Sequence, residues 1–371
     1  MSPTRILLPL FLFTFLLCGC STLAGSDETG VVIARRAQVR SSTAVVAADL
    51  KEVVRGDELE VLDTTVVQDT GEEWLRVRTR DDEPVEGWIE ARNVISQEMV
   101  ERSRQLARED EGVPAQATGQ LRASTNIRFS PDRGNNKNIL MKLESGARFE
   151  IIGWKRVPRP QTLGTAERDD APKSGPANRR SGRAGDDQGA KDEQEDANEL
   201  WYKVRLPQSL SPAPAGWVFG KQVELTVPSD IIFYRTGREF VAWQRLDGEG
   251  AESSSSALRD KDAAKDSRPG SWVILEKSST GDRGPDAPAF DRIFVLGYDK
   301  DRQEHYTAYR SHDLQGHLPL QITNEGGTKY FTVRVQQGGE LRPAKFKVYF
   351  NERGLLKIEP QGDLPKPARG R

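Results

Sequence analysis

An ordered set of short motifs occurs twice in this chain, and it limits the possible folds more than any other feature. Both copies contain an apolar-Arg pair, a glycine, an acidic-apolar run, a tryptophan strand and a Gly-Trp pair. The first copy has Val39-Arg40, Gly56, Glu60-Val61-Leu62, Trp74, Gly87-Trp88-Ile89 and Val94, and the second has Ile127-Arg128, Gly146, Glu150-Ile151-Ile152, Trp201, Gly216-Trp217-Val218 and Val223. Such a repeat indicates two copies of one structural unit.

Each copy consists of short β-type runs separated by turn residues. Trp74-Leu75-Arg76-Val77-Arg78 and Trp201-Tyr202-Lys203-Val204-Arg205 are typical of these runs, and they predict small all-β units. The motifs resemble the pattern of bacterial SH3 domains, V-R-S, G-x-x-x-x-V-L, W-x-x-V and G-W-V. The resemblance implies a small barrel for each copy, and a role in binding cell-wall material or other proteins.

The distance between matching motifs increases after Ile152, so the second copy carries an insertion. Residues 156–198 are rich in proline, glycine and both charges, which predicts a disordered loop. The predicted organisation is a signal segment 1–19, a tether 20–30, SH3-like domains 31–96 and 119–227 with a spacer 97–118 between them, a third domain 228–360 and a tail 361–371.

The spacer has the pattern of a short helix. Ser96 is a suitable N-cap, and Met99, Ser103 and Leu106 recur near helical spacing without glycine or proline between them. The apolar stripe of this helix is thin.

The third domain is predicted to be further β structure, and its sequence does not match the motifs of the repeat. Residues 230–246 look like a hairpin, and residues 248–271 form a second predicted disordered loop. Apolar residues occupy every second position of two later strands, so one face of each is predicted to point inward. These residues are Phe331, Val333 and Val335 on the first strand and Phe346, Val348 and Phe350 on the second. We expect a sandwich or a barrel, and so an all-β fold class for the whole chain.

The N-terminal segment predicts export. Arg5 precedes a short apolar run that ends at Leu17, which is typical of a signal peptide and short for a membrane span. Leu17-Cys18-Gly19-Cys20 resembles the lipobox of bacterial lipoproteins. That resemblance implies cleavage between Gly19 and Cys20 and acyl chains, palmitate among them, on Cys20. Ser21 then favours the outer membrane, facing the periplasm. An ordinary secretory signal is the alternative.

Composition excludes several kinds of chemistry. Both cysteines, Cys18 and Cys20, lie in the lipobox-like run, so the chain from Ser21 onward has no thiol for a disulfide, a nucleophile or a zinc-thiolate site. Lys+Arg 54 against Asp+Glu 56 gives a net charge of −2, which argues against nucleic acid as a partner.

Aromatic side chains are the candidate ligand-binding residues, because a tryptophan suits both core packing and stacking on a sugar or peptide. We expect Trp88 and Trp217 to pack in the cores, although both stay in the candidate set. Trp74 and Trp201 are balanced between the two roles, and Tyr202, Phe129 and Phe219 are possible surface aromatics of the second copy.

Three histidines, His305, His312 and His317, lie near Glu304 and Asp313 in the third domain. Their spacings fit no metalloprotease pattern, and Ser311-His312-Asp313 cannot form a triad, since neighbouring strand residues point to opposite faces. We therefore predict no metal, no cofactor and no catalytic residue.

The leading hypothesis is a lipid-anchored, non-enzymatic protein of the cell envelope whose SH3-like domains bind peptidoglycan or its peptides. Its partners would be the membrane, through Cys20, and peptidoglycan or envelope proteins. An interaction scaffold of an envelope assembly is the first alternative. A hydrolase with its site in residues 228–360 is the weaker one.

Overall fold

The computed structural model describes residues 28–160, 197–235, 237–247, 269–278 and 284–364. The chain divides into two compact units, residues 1–94 and 95–371. The fold is all-β, with two curled half-barrel sheets followed by a third β domain, and this confirms the predicted class.

The first curled sheet has seven strands. They are β1 Thr29–Val32, β2 Arg36–Arg40, β3 Asp49–Val54, β4 Glu58–Val66, β5 Glu73–Thr79, β6 Glu86–Glu90 and β7 Val94–Ser96. Their order is β3-β2-β6-β5-β4-β1-β7. Its core contains Val39, Val77 and Ile89, all fully buried, as expected when alternate residues of each strand face inward.

The second curled sheet repeats this arrangement strand for strand. Its strands are β8 Ala117–Leu121, β9 Thr125–Arg128, β10 Ile139–Leu143, β11 Arg148–Pro158, β12 Asn198–Arg205, β13 Ala215–Phe219 and β14 Val223–Leu225, in the order β10-β9-β13-β12-β11-β8-β14. The matched glycines both have positive φ, 94° at Gly56 and 83° at Gly146, in the turns before β4 and β11. The sequence repeat is therefore a repeat of topology.

The insertion begins later and ends earlier than predicted. β11 and β12 stay paired as far as Pro158 and Asn198, so residues 156–158 and 198 belong to strands and not to a loop. Cross-strand hydrogen bonding offsets the poor strand propensity of this stretch. Residues 161–196 lie outside the described part of the chain.

The predicted spacer contains helix α1, Gln97–Glu109. The Ser96 hydroxyl accepts a hydrogen bond from the Met99 amide at 3.3 Å, which is the N-cap geometry that the sequence indicated. Only Val100 and Ser103 of the helix are buried.

The third domain is a sandwich, because its strands form two separate sheets over one core. β15 Arg238–Arg245, β16 Trp272–Ser278, β17 Arg292–Asp299 and β18 Glu304–Arg310 form one sheet, and β19 Gly316–Glu325, β20 Thr328–Gln337, β21 Glu340–Phe350 and β22 Leu356–Pro360 form the other. Phe331 and Phe346 stack with 4.5 Å between ring centroids in this core.

Two expectations for the third domain are wrong. Residues 230–235 are not a strand: the Pro228 carbonyl accepts from the amides of Ile231 and Ile232, a 3₁₀ turn follows at Ile232–Tyr234, and β15 pairs with β16 instead. Phe350 is 55% exposed, since it is the last residue of β21, at the turn to β22. The predicted loop 248–271 is described only at 269–271.

Candidate functional site

The four repeat tryptophans lie on one face of each curled sheet. Arg76 is directly opposite Trp88, and Lys203 is directly opposite Trp217. Trp74 and Trp201 are two residues before these cations and so share their face. We call this the tryptophan face; it lies opposite the core face of Val77 and Ile89.

Burial on this face separates the four tryptophans into two pairs. Trp74 is 3% exposed and Trp201 is fully buried, and neither indole N–H has a hydrogen-bond partner among the described residues. A side chain this deeply buried cannot stack on a ligand, so Trp74 and Trp201 are removed from the candidate set.

Trp88 and Trp217 are half-buried and lie away from the core. The expectation of core packing is wrong for both, because the glycine before each tryptophan takes the inward position. An added Cβ would be 2.6 Å from the Arg40 carbonyl oxygen at Gly87, and 2.4 Å from Ile127 Cγ2 at Gly216. The strand period of two then turns each tryptophan outward.

The arginine of each apolar-Arg pair shapes the loop that follows it. Arg40 donates to the carbonyl oxygens of Val45 and Ala47 at 2.8 and 3.1 Å. Arg128, which is 2% exposed, donates to the Asn135 carbonyl and to Asn138 Oδ1 at 3.0 and 2.8 Å. Sequence reasoning treated this arginine only as a repeat marker; its recurrence in both copies was the available signal.

In the first copy the part of the tryptophan face around Arg76 is charged and accessible. The Arg76 side chain is 49% exposed and pairs with Glu86, which also accepts from Arg78 at 3.3 Å. Arg40 lies directly opposite Trp88 from the other side. The backbone of Trp88 thus lies between Arg40 and Arg76, and the Arg76 guanidinium pairs with the Glu86 carboxylate. This set can contact an apolar group and a charged group of one ligand together.

In the second copy α1 lies against part of the same face. The Ser103 hydroxyl donates to the Ala215 carbonyl at 2.6 Å and accepts from the Ala215 amide at 2.9 Å, which holds the helix on β13. Lys203, 11% exposed, pairs with Asp110 at 2.5 Å and Glu109 at 2.8 Å at the end of the helix. Burial alone would lower the pKa of Lys203, but these carboxylates outweigh it and raise the pKa above its usual value.

The remaining aromatics of the second copy are engaged within the protein. Phe129 is 8% exposed with the Arg102 guanidinium 4.0 Å from its ring, and Phe219 is half-buried against Trp201. Tyr202 is half-buried and packs edge-on against Trp154. Burial raises the pKa of Tyr202 to about 12, so its hydroxyl stays neutral.

The three histidines do not come together. His305 Nε2 is 2.8 Å from the Gly270 carbonyl, and His312 is exposed. Burial first, and then Arg334 and Lys277, lower the pKa of His317. Among the described residues, no three histidine, cysteine, aspartate or glutamate side chains converge as a metal site requires.

Gly19 and Cys20, the predicted cleavage and lipidation residues, lie outside the described residues. Within the described ranges, no helix has the length and apolar character needed to cross a membrane.

Comparison with known proteins adds no relative. No family model and no curated protein matches the chain. Among solved structures, NlpC2 from Trichomonas vaginalis aligns at TM-score 0.15 and 9% identity, over 92% of this chain and 96% of that one. NlpC1 from the same organism aligns at TM-score 0.16 and 9% identity, over 91% and 90%. Scores this low carry no argument about fold or function.

Proposed function

We propose that this protein is a lipid-anchored, non-enzymatic binding protein of the cell envelope, and that its first curled sheet binds peptidoglycan through the tryptophan face. The acylated Cys20 would hold it at the outer membrane, facing the periplasm. The second sheet would serve as a structural support for the sandwich. The export signal, the lipobox resemblance and the repeat support this assignment.

One observation carries the choice of surface. Arg76 and Lys203 occupy equivalent positions opposite Trp88 and Trp217, yet the first is 49% exposed and the second 11% exposed under α1. Among residues 28–94 the structure has strands and a 3₁₀ turn, and no helix of that part lies on Trp88. The accessible copy is therefore the one fitted to take an external ligand.

The chemistry of the face suits peptidoglycan. The half-buried Trp88 ring offers an apolar surface with a polar edge, which stacks on sugar or peptide groups. Arg76 can pair with a carboxylate of a stem peptide, since guanidinium groups bind carboxylates with good geometry. Glu86 can accept from a ligand amine.

Sedimentation with purified sacculi tests this proposal on the mature protein. Trp88→Ala should raise the apparent Kd about tenfold, the effect of losing about 1.4 kcal/mol of binding free energy, and Arg76→Ala should raise it as well. Phe350→Ala removes an exposed aromatic from the sandwich and should bind like the wild type. Equal sedimentation of Trp88→Ala and wild type would reject this surface, and no sedimentation of the wild type would reject peptidoglycan as ligand.

A further inference from the structure

The first copy carries a second accessible surface, made by β2, β3 and the loop between them; we call it the β2–β3 hairpin. Val45 and Val46 at its loop are 91% and 94% exposed, and Leu50 on β3 is 45% exposed. Apolar side chains clustered in this way on a surface are typical of interaction sites.

The repeat shows that the corresponding surface is closed in the second copy. The hairpin of the second copy is formed by β9 and β10. In each copy a β-bulge in the hairpin leaves one leucine out of the strand pairing, Leu50 in β3 and Leu140 in β10. Each leucine lies beside the inward glycine of its copy, 3.2 Å from the Cβ position of Gly87 and 3.6 Å from that of Gly216. Leu140, however, is only 2% exposed.

A loop of the chain itself lies against the hairpin of the second copy. The segment 206–214, between β12 and β13, places the Ser211 hydroxyl 3.1 Å from Met141 Sδ on β10. Leu206 and Ala213 of this segment are buried, at 4% and 0% exposure. The sequence of the segment, LPQSLSPAP, is apolar and proline-rich.

The first copy has a shorter and acidic segment at the same place. Residues 80–85 read RDDEPV, and Lys51 on β3 holds this segment by pairing with Asp81 at 2.5 Å and donating to the Glu83 carbonyl at 3.1 Å. β3 is also an edge strand of its sheet. An unpaired strand edge accepts an extended polypeptide, and the neighbouring acidic residues favour one with positive charge.

We propose that the β2–β3 hairpin of the first copy is a docking site for an extended apolar segment of a partner protein, flanked by lysine or arginine. The segment lies along β3 beside residues 80–85, and it gives the hairpin apolar contacts of the kind that residues 206–214 give in the second copy. Its apolar residues cover Leu50, Val45 and Val46, its backbone pairs with the edge of β3, and its basic flank faces residues 80–85. This surface is distinct from the tryptophan face.

The probe for this site is a peptide with the sequence of residues 206–214 and lysines added at both ends. Fluorescence anisotropy with the full-length Cys20→Ala protein, which has no lipid of its own, should show binding. The same peptide with glutamates at its ends should bind this protein about tenfold more weakly. The lysine peptide should likewise bind the double variant Val45→Asp/Val46→Asp about tenfold more weakly, a loss of about 1.4 kcal/mol in each case. Hydrogen exchange of the β3 amides should slow when the lysine peptide binds.

The control is Val66→Asp, which places the same charge at another exposed valine of the same sheet, 57% exposed at the end of β4; it should bind the peptide like the parent protein. Binding of the protein to vesicles of phosphatidylethanolamine and phosphatidylglycerol is measured in parallel, to distinguish a hairpin that binds lipid from one that binds a polypeptide. The proposal is overturned if the lysine peptide does not bind, if Val66→Asp weakens binding as much as the double variant, or if only vesicle binding depends on Val45 and Val46.

Discussion

At the scale of single residues, the Gly-Trp pairs set the geometry of the tryptophan face. Gly216 leaves no room for a side chain, because an added Cβ would be 2.4 Å from Ile127 Cγ2 and 3.2 Å from the Arg128 carbonyl oxygen. Ile127 is fully buried and β-branched, so it has little freedom to move aside. The glycine thus decides which way Trp217 points.

Gly216→Ala should therefore destabilise the second unit by about 1–3 kcal/mol, the usual cost of overpacking a core. The measurement is the urea midpoint of the purified protein. Gly153→Ala in the same sheet is the matched control, since nothing lies within 4 Å of its Cβ position, and it should change stability by less than about 0.5 kcal/mol. Equal effects of the two variants would contradict this account.

At the scale of elements, α1 packs on the second curled sheet through polar contacts. Its apolar stripe is thin; the buried Ser103 hydroxyl attaches it to β13, and the ion pairs of Lys203 attach its end to β12. A serine can satisfy both backbone groups of Ala215 because a hydroxyl both donates and accepts. The helix is therefore held by polar contacts that periodicity does not reveal.

Ser103→Ala should loosen the helix. It leaves the Ala215 amide and carbonyl without their hydroxyl partner, which costs about 1–3 kcal/mol for a buried group. Amide hydrogen exchange across residues 97–109 should accelerate accordingly. Arg104→Ala, which alters an exposed Arg104–Glu101 pair on the same helix, should leave exchange nearly unchanged; faster exchange in that variant alone would reverse the assignment.

At the scale of the whole molecule, the second curled sheet and the sandwich form one unit around Leu320. Its amide donates to Gln116 Oε1 at 2.6 Å, and its carbonyl accepts from the side chains of Gln116 and Gln244 at 3.0 and 2.9 Å. Both glutamines are almost fully buried. Buried, satisfied polar groups of this kind fix one arrangement of the two parts.

The double variant Gln116→Ala/Gln244→Ala should uncouple these parts. Each buried group left unpaired costs about 1–3 kcal/mol, so calorimetry should show the unfolding of residues 95–371 split into two transitions where the wild type has one. Gln337→Ala, an exposed glutamine of the sandwich, should keep the single transition. A single unchanged transition in the double variant would show that the glutamines do not couple the two parts.

Local patterns were enough to predict the repeat, most strands and the start of α1. Gly56, Gly146 and the tryptophan strands mark positions where turn chemistry and alternation act over a few residues. They did not predict β19, β22 or the 3₁₀ turn at Ile232–Tyr234, because those depend on partners elsewhere in the chain. They also misassigned the tryptophans, since apolar neighbours alone do not tell which face of a strand is covered.

The sequence by itself determined that this is an all-β protein with two copies of one unit, and it supplied the export and lipidation signals on which the proposed location rests. Only the tertiary structure decided which copy is accessible. The contacts that close the second copy join residues far apart in sequence, Ser103 to Ala215 and Ser211 to Met141, and Gln116 reaches Leu320 in the sandwich. Burial is a property of the folded chain, and so the difference in exposure between Arg76 and Lys203 arises only when those distant segments meet.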